Sequence, residues 1–138
     1  MKEGSTLLIL ADVNRPSITQ APELLKTADH IAVIDHHRSS EEQVEHVDIS
    51  YVEPYASSAS EMVTELLQYM VENLKLKQVE MDGLFAGIAL DTKNFTVKTG
   101  VRTFEAAAYL RRCGADSVSV RQMFKNDMEE YKARAGIV

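Results

Sequence analysis

The sequence predicts an α/β fold, a parallel sheet flanked by helices, in one domain. Three observations carry that prediction. Two short apolar runs rich in Leu, Ile and Val, Thr6 to Ala11 and Ile31 to Ile34, each end abruptly in a polar cluster. Continuous apolar runs of that length read as strands buried on both faces, as in parallel sheets. Segments with helical spacing of apolar residues follow them. The chain has 138 residues, 45% of them hydrophobic and 26% charged, the size and composition of one globular domain.

Taken in order, Thr6 to Ala11 (TLLILA) is the first strand and runs into Asp12-Val13-Asn14-Arg15-Pro16, where the proline disfavours helix at Arg15. Ser17 is placed to cap a helix to about Asp29, with Pro22 in or near its first turns. Ile31 to Asp35 is the second strand, so the unit is βαβ with the usual right-handed crossover. Asp12 and His36 then share the carboxyl edge of the sheet, where open parallel sheets bind ligands. Ser39 to His46 is polar and acidic, a solvated loop or short helix. Val47 to Val52 is a third short strand, ended by Glu53-Pro54-Tyr55.

Ser58 with Glu61 fits a capping box that opens a long helix, its apolar face marked by Val63, Leu67, Met70, Val71 and Leu74. The serines cap this helix, or also meet a ligand there, since free N–H groups at a helix start favour anions. Val79 to Leu90 contains MDGLFAGIAL, apolar on most sides, and reads as a buried helix running into Asp91. Thr99 to Cys113 is a further helix with Gly114 just past its end. Ser117 to Ala135 is amphipathic, with Val118, Val120, Met123, Phe124 and Tyr131 as packing residues and its charges in solvent.

The net charge of -6 and pI near 5.2 argue against a broad surface for long nucleic acid. A small phosphate ligand held by local cations is compatible. The single Cys113 cannot form an internal disulfide, which fits a reducing cytoplasm. No apolar run approaches the roughly 20 residues of a membrane helix, and no signal peptide opens the chain, so no membrane contact is expected. The abrupt entry into a strand suits a piece of a larger protein.

Chemistry concentrates in Asp35-His36-His37-Arg38. Two histidines past a strand can serve loop backbone alone. Asp91 adds a reason to look further: a carboxylate at the C-terminus of a buried helix meets the negative end of the dipole, and a cation would remove the conflict. Asp12, His36 and Asp91 together form a carboxylate–imidazole set of the kind that binds Mn²⁺ or Fe²⁺. Asp35, His37, Arg38, Asn14 and Arg15 surround them. No CxxC, HExxH or Gly-rich phosphate loop is present.

The motifs ADVNRP, VIDHHR and GIALDTKNF, in that order, resemble the DHH phosphoesterase superfamily. The stretch YVEPYASSASEMVTELLQYM resembles the bacterial cyclic di-AMP phosphodiesterases of the GdpP/YybT type. The resemblance implies a two-manganese hydrolase whose substrate partner is a cyclic dinucleotide, opened to the linear form pApA. It implies that Asp12 bridges the two ions and that His36 and Asp91 ligate one of them. His37 and Arg38 would act on the phosphate, and Asp35 would orient His36 or its neighbour from behind. Asn14, Arg15, Ser57, Ser58 and Ser60 would lie near the substrate.

The family's first motif, a His-x-Asp-x-Asp segment on an earlier strand, is missing, and so is the second domain with its Gly-rich substrate motif. Residues 1–138 therefore read as a partial DHH phosphoesterase domain, inactive alone and holding metal weakly or not at all. The parent would be anchored in a bacterial membrane with this part in the cytoplasm. A DHH-type oligoribonuclease or pyrophosphatase, and a non-catalytic nucleotide-binding or homodimer-forming module, are the alternatives.

Overall fold

β1 (Leu7–Ala11) and β2 (His30–Asp35) lie side by side and parallel in the computed structural model, with Leu10 beside Val33. β3 (Ile49–Val52) adds in parallel on the far side of β2, giving the order β1-β2-β3. Four helices follow: α1 (Ala59–Met70), α2 (Gln78–Asp91), α3 (Val101–Cys113) and α4 (Ser117–Arg134). The structure describes residues 4–38, 41–134 and 136, with α4 side chains as far as Lys125.

The sheet has two unequal faces. On one, Leu10, Ile31 and Val33 are buried against Leu8, Val13, Leu25, Ala28, Val44, Val47 and Val52. On the other, α1 packs on β2. Burial on both faces therefore holds for β2, where Ile31, Ala32 and Val33 are all buried. It does not hold for β1, whose Leu7 and Ile9 are more than half exposed. β1 lies at the margin of the sheet, beyond the reach of the helix that covers the centre.

The helix expected from Ser17 to Asp29 does not form. Pro22 lacks the N–H that would continue it, and Ala21 before it is pushed out of the helical region (φ -134, ψ 70). Two single turns of 3-10 type, Pro16–Ile18 and Pro22–Lys26, replace it. Ser17 is not a cap. Its N–H and hydroxyl both donate to Glu42, at 2.9 and 2.7 Å. Residues 41 to 46 form no regular element, which matches the loop reading, and residues 39 and 40 lie outside the described set.

Ser58 caps α1 by accepting the Glu61 N–H at 3.0 Å. The expected long helix stops at Met70, because Val71 turns extended (φ -128, ψ 111). The face it buries is Ala59, Met62 and Thr64, with Met62 fully covered, while Met70 and Val71 are exposed. Of the expected stripe, Val63, Leu67 and Leu74 are half-buried, and the most deeply covered face is lined by smaller residues that let α1 approach its neighbour. Ser60 meets Gly87 of α2 so closely that a Cβ on Gly87 would stand 2.1 Å from Ser60 Oγ.

α2, α3 and the start of α4 share a second core of Met81, Phe85, Ile88, Ala106, Ala107, Leu110, Ala115 and Val120. α3 ends as expected at Gly114, whose left-handed φ of 119 suits glycine. Phe124 of α4 packs on this core and Val120 is buried. Val118 and Met123 are exposed instead. The Tyr131 side chain and Ala135 lie outside the described residues.

Candidate metal centre

Strand ends bring the first two ligands together. β1 closes with the Asp12 N–H donating to Ile34 O at 2.9 Å, and Asp12 itself is left-handed at φ 65. A short polar side chain tolerates that conformation, which turns the carboxylate off the strand line. His36 follows β2 directly. Its Nε2 lies 3.2 Å from Asp12 Oδ1 and 3.5 Å from Asp91 Oδ2. The His36 side chain is only 8% exposed, against 57% for Asp12 and 34% for Asp91. Asp91 arrives from the C-terminal end of α2. The sheet edge and a helix end thus place two carboxylate oxygens on one imidazole nitrogen.

Burial pushes the Asp91 carboxyl above its ordinary value of 3.8; His36 opposes that shift and the nearby Asp12 charge adds to it. Two acids crowded at the negative end of a helix are mutually unfavourable unless a cation joins them. The donors present, carboxylate oxygen and imidazole nitrogen, are those that hold Mn²⁺, Fe²⁺ or Zn²⁺.

His37 belongs to the same cluster by proximity and differs in its bonding. Asp12, His36 and His37 each offer a ligand atom, all within 4.8 Å of one another. Yet His37 Nδ1 lies 2.7 Å from Asp35 Oδ1 and 3.9 Å from Asp12 Oδ1, and half of the side chain is exposed. Asp35 is wholly buried and also accepts the His37 backbone N–H at 3.3 Å. Asp35 therefore orients the second histidine and not His36. Its Oδ2 is buried with no hydrogen-bond partner among the described residues.

The remaining residues named from sequence divide by surroundings. Arg38 is exposed and lines a cleft shared with His36 and His37. Asn14 is buried, and its carbonyl accepts the Val44 N–H at 3.3 Å. Arg15 is exposed, its carbonyl taken by Ile18 N–H and the Thr19 hydroxyl. Both sit on the loop that leaves Asp12. The three serines face inward. Ser57 is fully buried and donates its hydroxyl to Glu61 Oε2 at 2.5 Å, Ser58 is the cap, and Ser60 packs on Gly87.

Sequence reasoning missed one wall of this region. Glu61 Oε2 also accepts the Thr103 hydroxyl at 2.6 Å, tying the start of α1 to the start of α3. Glu61 fits a local capping motif, and nothing in that motif announces a partner on α3. Thr92, buried beside Asp91, accepts Phe95 N–H on its hydroxyl and the Thr96 and Val97 N–H groups on its carbonyl. That holds Lys93, Asn94 and Phe95 in three successive left-handed conformations. Consecutive non-glycine residues of this kind carry no pattern in sequence.

The sequence profile of the DHH family, N-terminal domain, matches residues 2–88, which includes β1, the Asp35-His36-His37 triplet, all of α1 and most of α2. The chain is 51% identical over 133 residues to the cyclic-di-AMP phosphodiesterase GdpP of Geobacillus thermodenitrificans, covering 96% of this chain and 20% of that protein. It is 46% identical over 138 residues to the protein of the same name in Bacillus subtilis, covering all of this chain and 21% of that one. The chain thus spans about a fifth of the length of the curated relatives it matches. Among solved structures, an exopolyphosphatase-related protein from Bacteroides fragilis superposes with a TM-score of 0.72 at 21% identity, over 83% of this chain and 34% of that one. That likeness speaks to the fold. With the family match running over most of the chain and through the strand ends that carry Asp12 and His36, the chain belongs to the DHH family.

Proposed function

We propose that this chain is part of a manganese-dependent phosphodiesterase that opens cyclic di-AMP to linear pApA. The observation that carries the reading is the convergence of two carboxylates on a nearly buried imidazole at the carboxyl edge of the sheet. The names of the near relatives supply the substrate. Asp12, His36 and Asp91 would hold the ion. A bound divalent ion supplies Lewis-acid activation of water and neutralises phosphate charge.

The chain's own side chains prepare the site. Asp35 accepts from His37 Nδ1 and so fixes the ring at the wall of the cleft, where an imidazolium Nε2–H would donate to a phosphate oxygen. Its burial keeps the Asp35–His37 geometry from being exchanged for water. Arg38 adds a cation that stays charged at any working pH and stabilises charge growing on non-bridging or leaving oxygens. Three strong ligands among the described residues are fewer than a pair of ions roughly 3.5–4 Å apart requires. The 138 residues alone are therefore expected to be inactive. The parent is proposed to be membrane-anchored; no described helix is long and apolar enough to cross a membrane.

The test is hydrolysis by the full-length parent protein with Mn²⁺ and a panel of cyclic di-AMP, short RNA and pyrophosphate. Preferential turnover of cyclic di-AMP to pApA supports the reading. Turnover of short RNA or pyrophosphate with cyclic di-AMP untouched would overturn it.

A further inference from the structure

Beside the metal centre lies a cleft of about 680 Å³ whose lining includes His37, Arg38, Tyr55, Lys98, Thr99 and Gly100. That volume suits a nucleotide-sized ligand. Its chemistry differs from that of the centre. His36 is the member of the centre that it shares; it holds neither Asp12 nor Asp91, and it gathers two cations, an aromatic ring and bare backbone.

Three features of the lining lack an explanation in packing. Tyr55 is 94% exposed at the tip of the turn between β3 and α1, so the fold gains almost no burial from its ring. The turn itself is set by Ala56 N–H donating to Glu53 O at 3.0 Å. Lys98 is left-handed at φ 50, a conformation that costs a non-glycine residue free energy and is retained where the surroundings impose it. Gly100 is extended (φ -110, ψ -178), which any residue adopts, and a Cβ there would meet nothing within 4 Å. Neither backbone nor packing demands glycine. What its absent side chain leaves is room in the cleft.

We propose that this cleft seats the half of a cyclic dinucleotide away from the bond being cut. Tyr55 stacks on a purine, as exposed aromatic rings do on unpaired bases. Arg38 and Lys98 hold the second, non-reacting phosphate, and Gly100 lets it approach the backbone at the start of α3. The proposal rests on the phosphodiesterase reading above and adds the part of the substrate that selects a dinucleotide over a simple diester.

The test uses the full-length parent protein with Mn²⁺ and three probes. These are cyclic di-AMP, the base-free diester bis(p-nitrophenyl) phosphate, and pApA carrying 2-aminopurine, whose fluorescence falls on stacking. Tyr55→Ala should raise KM for cyclic di-AMP by about tenfold with kcat little changed, in line with the loss of one base stack. It should also lose the 2-aminopurine quenching. Tyr55→Phe should restore both. Lys98→Met should raise KM for cyclic di-AMP by a larger factor than KM for bis(p-nitrophenyl) phosphate, which lacks the second phosphate, and equal factors would remove Lys98 from the subsite. Unchanged KM and unchanged quenching in Tyr55→Ala, in a protein that hydrolyses cyclic di-AMP, would overturn the subsite and leave the phosphodiesterase reading standing. A parent protein that ignores cyclic di-AMP, yet loses quenching on Tyr55→Ala, would support the subsite and sink that reading.

Discussion

Glu61→Ala should be among the more damaging single changes in this chain, and its size can be worked from three contacts. Glu61 is 2% exposed. Its Oε2 alone accepts Ser57 N–H at 3.2 Å, the Ser57 hydroxyl at 2.5 Å and the Thr103 hydroxyl at 2.6 Å. A net hydrogen bond is worth about 1 kcal/mol, more where the acceptor is charged, and an orphaned buried donor costs about 1–3 kcal/mol. The Ser57 hydroxyl has an alternative in Ser58 Oγ at 3.4 Å, but the Ser57 N–H has none among the described residues. The sum is about 3 kcal/mol. For a chain of 138 residues, an unfolding entropy of about 0.3 kcal/mol per kelvin turns this into a drop in Tm of roughly 10 °C. Because all three donors meet one oxygen, Glu61→Gln can put its carbonyl there and keep every bond, so it should melt within a few degrees of the unmodified protein. Thermal unfolding of the purified chain, followed by circular dichroism, reads both. If the glutamine variant falls as far as the alanine variant, charge matters and acceptor geometry does not. If alanine costs less than about 1 kcal/mol, the clamp between α1 and α3 is not stabilising.

Gly87→Ala should destabilise by about 1–2 kcal/mol in denaturant titration, since the new Cβ lies 2.1 Å from Ser60 Oγ and 2.9 Å from Ser60 Cβ, against a gain in helix propensity of about 1 kcal/mol. Ser60→Gly in the same chain should restore most of the loss, and no recovery would contradict the close contact. Asp29, bonded to Thr6, and Asp48, bonded to Ile31 and His30, both have carboxyls held below their ordinary value of 3.8. A depressed folded value means that their support for the strand starts is full above about pH 4 and is lost as pH falls through the folded value. Asp29→Asn and Asp48→Asn should therefore lower stability at pH 7 and flatten its fall below pH 4. A fall as steep as in the unmodified chain would show that these groups do not set it.

Much of the fold could be read directly, because hydrophobic pattern and breakers speak locally. The strand ending at Asp35 and the helix ending at Asp91 were legible as an apolar run and an apolar helix that each stop at an acid. The failed helix after Ser17 is a contest between a cap signal and Pro22, and the missing N–H won. The most deeply buried face of α1 reflects tertiary packing: Gly87 and Ser60 allow two helices to close, and small residues give no hydrophobic signal. In the site, the placing of Asp12 beside His36 followed from topology, since parallel strands deliver both to one edge. The pairing of Asp35 with His37 could not follow from spacing, because neighbouring side chains past a strand end are aimed by loop dihedrals. The left-handed run Lys93 to Phe95 after α2 depends on the buried Thr92, a partner that no local pattern announces.

The division of labour between the two histidines is the claim most open to direct measurement. His36 Nε2 sits between Asp12 and Asp91 at 3.2 and 3.5 Å, while His37 Nδ1 is engaged by Asp35 at 2.7 Å. Manganese content of the full-length parent and its His36→Ala and His37→Ala variants, by elemental analysis after dialysis against trace metal, separates them. His36→Ala should lose most of its metal, and His37→Ala should keep nearly all of it while turning over slowly. Equal loss in both variants would make His37 a ligand, and full retention in His36→Ala would place the metal elsewhere.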